Sequence, residues 1–178
     1  MVTFIIGGAR SGKSSFAENI YKNKKDVVYI ATSKVLDAEM KERVNLHRAG
    51  RPEVWRTFEG SYKLKDALGK ERYYLLDCIT VLTSNIMYDL TKDTDYIGYK
   101  LQKEVEDRVV EEVKALINEI KKENYKLLLV SNEVGFSLVP ENHISRVFRD
   151  IQGRINQKLS SLSDEVYLVV AGIAVKIK

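Results

Sequence analysis

At 178 residues, with 44% hydrophobic and 30% charged residues, the chain can bury one sizeable core and is short for two, so one domain spanning 1–178 is expected. Two prolines and ten glycines exclude a collagenous or low-complexity polymer. The net charge of +4 comes from lysines interleaved with acids, as in "LQKEVEDR" and "INEIKKEN", a pattern of solvated helix faces; with no basic and aromatic stripe, a small phosphorylated substrate suits the charge better than nucleic acid.

The opening "MVTFIIGGARSGK" has no basic segment before its apolar run, and the run is shorter than a signal peptide or membrane span, so a cytoplasmic protein is expected. A lone cysteine, Cys78, agrees with a reducing compartment and reads as a small buried hydrophobe. Along the chain, "VTFII" (2–6) predicts a first strand and a helix follows over about 12–23; "VVYIA" (27–31) is the second strand. A helix over about 35–48 carries Glu39, Arg43 and His47 and is stopped by Gly50 and Pro52. "YYLL" (73–76) is followed by a helix over about 80–91, and a long helix over about 98–123 lines up Val105, Val109, Val113, Leu116, Ile117 and Ile120. "KLLLVS" (126–131) precedes a helix over about 143–162 with Ile144, Phe148, Ile151, Ile155 and Leu159 toward the core. "VYLVV" (166–170) and an alternating edge strand "VKIK" (175–178) complete the chain. Strands apolar on both faces and separated by helices predict an α/β fold: a mainly parallel sheet, helices on both faces, and a C-terminal edge strand.

Directly after the first strand, "GGARSGKS" places Gly7, Gly12, Lys13 and Ser14 in the G-x-x-x-x-G-K-[ST] spacing at the start of a helix. Glycines let the backbone curl around a phosphate without Cβ clashes, and successive N–H groups at a helix N-terminus then face the anion. Lys13 adds a point charge for the outer phosphates, and the Ser14 hydroxyl suits a magnesium ion. Nucleoside triphosphate binding follows. Asp77, after the "YYLL" strand, fits a carboxylate that holds water on the magnesium, and fits equally the cap of the helix behind it. Glu133, in "LLLVSNEVG", ends a strand at the same edge and reads as a base, a metal-shell ligand or a surface-loop residue.

His47 has two readings from its own neighbourhood: an imidazole packed at a helix end, or a nucleophile beside Arg48 and Arg51. His143 reads as an exposed first-turn residue, and two histidines with one cysteine assemble no His/Cys metal cluster.

The residues also resemble a family. "GGARSGKS" (7–14), "YIATS" (29–33), "DAEMKERV" (37–44), "HRAGRPEVWRTFE" (47–59), "LLDCIT" (75–80), "NEVGFSLVPEN" (132–142), "RDIQGRINQKL" (149–159) and "EVYLVVAGIAVKIK" (165–178) together resemble the bifunctional adenosylcobinamide kinase / adenosylcobinamide-phosphate guanylyltransferase of cobalamin synthesis, nearly end to end. The resemblance implies a RecA-like P-loop domain, typically a homotrimer. It implies phosphorylation of adenosylcobinamide by ATP or GTP, then transfer of GMP from GTP through a GMP-histidine to adenosylcobinamide phosphate. His47 matches the histidine that is guanylylated. Nucleotide contacts are implied at Gly7, Gly8, Ala9, Arg10, Ser11, Gly12, Lys13 and Ser14, at Ala31, Thr32 and Ser33, at Arg48, Ala49, Gly50 and Arg51, and at Glu59 and Asp77. Where some members carry a second histidine, this chain has Leu46, and Asp77 replaces the Glu of some members. A P-loop kinase of another small molecule, a RecA-like nucleic-acid-dependent ATPase and a non-catalytic nucleotide-binding regulator are the alternatives from the residues alone.

Overall fold

A computed structural model describes residues 1–33, 52–94 and 96–178. The helix expected over 35–48 lies outside the described residues. The chain begins with β1 (Val2–Gly7), α1 (Lys13–Tyr21) and β2 (Val27–Ala31). After the undescribed stretch come β3 (Arg56–Glu59), a 3-10 turn at Leu64–Ala67, β4 (Tyr73–Asp77), α2 (Ile79–Thr91) and α3 (Tyr99–Lys122). β5 (Lys126–Asn132), α4 (His143–Leu162), β6 (Glu165–Val170) and β7 (Ile173–Lys176) complete it.

The seven strands form one sheet in the order β3-β2-β4-β5-β1-β6-β7, parallel throughout except for β7, which pairs antiparallel with β6. Two apolar layers hold it. On one face α1 covers Ile5, Tyr29, Leu75, Leu128 and Val130. On the other, α2, α3 and α4 cover Phe4, Ile30, Tyr74, Leu76 and Leu129, all fully buried. Central strands sandwiched this way need apolar side chains on both faces, which is why their sequences run as continuous hydrophobic stretches. Six parallel strands, one antiparallel edge strand and helices on both faces give the α/β layout expected from the sequence.

The α3 stripe is buried as its spacing requires, from Val105 through Ile120. The buried Glu106 ties α3 to α4 through Arg154 (2.6 Å) and Lys158 (2.7 Å). Burial alone would push its carboxyl pKa up, and Lys158 with Arg154 outweigh burial and hold it below the usual range. α4 is capped by Asn142, whose Oδ1 accepts from the Ser145 N–H at 3.2 Å.

Three details differ from the sequence-based expectation. β3 is an added edge strand whose RTFE residues are largely exposed, so it lacks the apolar run that marks the others. The buried stripe of α4 begins at Val147, while Ile144 stays 47% exposed. β7 starts two residues earlier than expected, because Ala171 (φ 50°) and Gly172 (φ 81°) turn the chain in a two-residue hairpin that brings Ile173 opposite Val170.

Candidate active site

The C-terminal ends of the parallel strands carry the phosphate-loop residues from Gly7 on, Glu59, Asp77 and Glu133, which are among the described residues that the sequence singled out. β1 delivers Gly7 to this edge, where a Cβ would stand 2.4 Å from Val169 O and 2.6 Å from Ser11 Oγ, so no side chain fits. The chain then curls through Gly8–Gly12, with Arg10 at φ 60° and Gly12 at φ 93°. Ser11 N–H donates to Gly8 O (3.2 Å), and Gly172 N–H at the β6–β7 turn donates to Ser11 O (2.8 Å). Ser11 Oγ is buried and has no hydrogen-bond partner among the described residues. No side chain caps α1 at Gly12, which leaves its first N–H groups to an anion.

Lys13 opens α1 and is only 8% exposed, with Nζ donating to Gly8 O at 3.0 Å. Burial lowers its pKa, and Asp77, then Cys78, pull it partly back. A lysine held this way is a desolvated cation turned onto the loop's own carbonyl, ready to exchange that carbonyl for a phosphate oxygen. Ser14, one residue on, is half-buried; Gly8, Ala9 and Arg10 are exposed.

Strand register brings the next group together. Ala31 on β2 lies beside Glu59 on β3 and Asp77 on β4, so all three stand in one row on the face that α1 covers. Asp77 Oδ2 accepts from the Tyr29 hydroxyl at 3.0 Å, which fixes the carboxylate. Tyr29 is 3% exposed. The oxygen donor set of Ser14 and Asp77 suits magnesium, which prefers hard ligands and keeps waters and substrate phosphates in its shell. Among the described residues, no group of three or more His, Cys, Asp or Glu can hold a metal ion by protein ligands alone.

Thr32, implied as a nucleotide contact, is buried and engaged: its hydroxyl donates to Cys78 O (2.8 Å) and accepts from Cys78 N–H (3.0 Å). Its carbonyl accepts from Asn85 Nδ2 (2.7 Å) and Ser61 Oγ (3.3 Å). The side chain therefore braces the β2 exit against β4 and α2. Ser33 follows, half-buried, where the chain leaves toward His47. Burial, then Asp77, pushes the Cys78 thiol up to about 12, so it is no nucleophile near neutrality.

Glu133 follows the end of β5, tied by its N–H to Gly7 O (2.9 Å), with Oε1 accepting from Gly135 N–H (2.7 Å). His143 is half-buried and stacks on Tyr96 (ring centroids 5.0 Å). His47, Arg48, Ala49, Gly50 and Arg51 lie outside the described residues. Spacing could not reveal Tyr29, Ser61 and Asn85 as supports, because each acts across the fold on a distant residue.

A family model described as cobinamide kinase / cobinamide phosphate guanyltransferase matches residues 3–177. The chain belongs to that family. It is therefore an enzyme, a kinase and guanylyltransferase, as the family description states. The bifunctional adenosylcobalamin biosynthesis protein CobU of Escherichia coli (strain K12) is 42% identical to it over 182 residues, covering 100% of both chains. CobU of Salmonella typhimurium (strain LT2) is also 42% identical over 182 residues. CobP of Pseudomonas aeruginosa is 34% identical, covering 100% of this chain and 98% of the relative. Among solved structures, a prototypical ATPase from the type III secretion system of pathogenic bacteria superposes with a TM-score of 0.57 at 10% identity, covering 98% of this chain and 56% of that one, a likeness of fold alone. No helix among the described residues is long and apolar enough to cross a membrane.

Proposed function

We propose that this family member phosphorylates the aminopropanol hydroxyl of adenosylcobinamide with ATP or GTP, then guanylylates the product through a covalent GMP on His47. The observation that carries this reading is the joint placement of the loop around Lys13 and the Glu59–Ala31–Asp77 row on one edge of the sheet.

In the kinase step the substrate hydroxyl oxygen bonds to the γ-phosphorus, the bond to the β-phosphate oxygen breaks, and the nucleoside diphosphate leaves. Glu133 accepts the hydroxyl proton. In the second step a neutral His47 nitrogen bonds to the α-phosphorus of GTP and pyrophosphate leaves. A phosphate oxygen of adenosylcobinamide phosphate then bonds to the same phosphorus and the N–P bond breaks, freeing the imidazole. Lys13 and the loop N–H groups from Gly8 to Ser14 take up charge on the transferring group, and Arg48 and Arg51 flank the histidine. Ala31, Ser33, Glu59 and Asp77 orient the nucleotide, with Thr32 as their support. Ser14 and Asp77 would hold a magnesium ion, which would neutralise phosphate charge when bound. The chain acts as one domain within a homotrimer in the cytoplasm.

GTP labelled at the α- or γ-phosphate tests the covalent route. Acid-labile label retained after denaturation is expected from the α position alone. His47→Ala should abolish it, lower guanylyl transfer about 10⁴-fold or more and leave nucleotide affinity within about 3-fold. Wild-type protein that retains no label sinks the covalent route.

A further inference from the structure

β5 runs two residues beyond the point where β4 stops, since Asp77 is paired with Val130 while β5 continues to Asn132. The Asn132 peptide, on the side facing β4, thus loses its ladder partners at the height of the active edge. Side chains replace them. Asn132 N–H donates to Thr80 Oγ1 (2.7 Å), and Asn132 O accepts from Asn156 Nδ2 (3.1 Å). Behind these, Ser131 Oγ donates to Asn156 Oδ1 (2.8 Å) and lies 3.4 Å from Thr80 Oγ1. Gln152 Nε2 donates both to Ser131 Oγ (3.0 Å) and to Asn156 Oδ1 (2.8 Å).

The donors run one way around this cluster. Ser131 gives its single proton to Asn156 Oδ1, so in its contact with Thr80 the Thr80 hydroxyl is the donor, while Thr80 Oγ1 accepts from Asn132 N–H. Ser131 and Gln152 are completely buried, and Thr80 and Asn156 nearly so. A buried cluster of this kind is costly to break, and only Gln152 Oε1 in it has no partner among the described residues. Its four residues come from α2, β5 and α4, and its output is one peptide whose next N–H, that of Glu133, is fixed on Gly7 O of the phosphate loop. Thr80 also stands three residues after Asp77, in the first turn of α2.

We infer that Thr80, with Asn156 behind it, is a positioning residue that sets Glu133 against the phosphate loop for proton acceptance in the kinase step. The inference rests on the role proposed above for Glu133. Thr80→Val keeps the shape and removes both hydrogen bonds; Thr80→Ser keeps them. Phosphoryl transfer to adenosylcobinamide by Thr80→Val should lose about 10- to 100-fold in kcat, with KM for the nucleotide within about 3-fold. Thr80→Ser should recover the rate to within about 3-fold. Because Thr80 acts through Glu133, Thr80→Val combined with Glu133→Gln should be no slower than Glu133→Gln alone. A multiplicative loss in the double variant, an unchanged kcat in Thr80→Val, or failure of Thr80→Ser to recover overturns the inference.

Amide hydrogen exchange separates this inference from the role of Glu133. Exchange at Asn132 and Glu133 should quicken in Thr80→Val while exchange in α3 stays as in the parent protein. Should Glu133→Gln keep the full rate, the proton-acceptor role falls. Quickened exchange in that case shows that the cluster holds the strand end without serving that chemistry, and unchanged exchange overturns the clamp itself.

Discussion

The phosphate loop and the brace around Thr32 occupy the same edge of the sheet and handle their polar groups in opposite ways. Around Thr32, the hydroxyl and carbonyl of one residue are saturated by Cys78, Ser61 and Asn85. Around Lys13, backbone bent into positive φ leaves the helix start uncapped, Ser11 Oγ without a partner among the described residues, and a buried cation resting on a carbonyl of its own loop. Satisfied polar groups build the frame, and unsatisfied ones are where a ligand gains the most on binding. The implied nucleotide contacts at Lys13 and Thr32 thus separate into two kinds, one awaiting phosphate and one holding the wall in place.

Lys13→Met is the harshest test of that contrast. Both transfer activities should fall by about 10²- to 10³-fold in steady-state assays. The ligand-free protein should nonetheless melt about 2 °C higher at neutral pH, because a desolvated charge is gone. The pH dependence fixes the sign. Burial lowers the folded-state pKa of Lys13, so the unfolded chain binds its proton more tightly. In the parent protein the penalty is present below the lowered value and is relieved as pH rises toward the ordinary value of 10.5, a gain that Lys13→Met should lack. A variant that melts lower than the parent would show that the lysine is part of the frame.

Thr32→Val should do the reverse. It strands the N–H and C=O of Cys78 in a buried site and should cost about 1–3 kcal/mol in denaturant midpoint at constant m-value, while triphosphate affinity changes little. A large loss of affinity with stability intact would move Thr32 to the ligand side of the contrast. The smallest effect is expected at Gly172, which hydrogen-bonds the loop from the hairpin turn at φ 81°. An added Cβ meets no atom within 4 Å, so Gly172→Ala bears only backbone strain of about 1 kcal/mol. Nucleotide affinity should drop less than about 3-fold by calorimetric titration. A loss beyond about 10-fold would make the hairpin turn a working part of the phosphate site.

The loop was legible in the sequence because its chemistry is local: two glycines, a lysine and a serine within eight residues between a strand and a helix. The central strands were legible because burial on both faces demands continuous apolar runs. β3 was not, since an exposed four-residue edge strand needs only a neighbour with a free edge. The brace and the cluster behind Asn132 were not, since they join residues 46, 53 and 51 positions apart through ordinary Thr, Ser and Asn side chains. In α4 helical periodicity points to Ile144 as the first member of the buried face, and the N-terminal turn instead leaves that residue in solvent.

The strand order carries a dimension. β1, which bears the phosphate loop, and β4, which bears Asp77, are separated by β5 alone. Two inter-strand steps set the backbones of these two strands about 10 Å apart, and across that spacing Asp77 still acts to raise the pKa of Lys13. That is a yardstick built from backbone hydrogen bonds, and neither end can drift without breaking a ladder. A ligand that contacts the loop and Asp77 together has to span a distance that the sheet fixes.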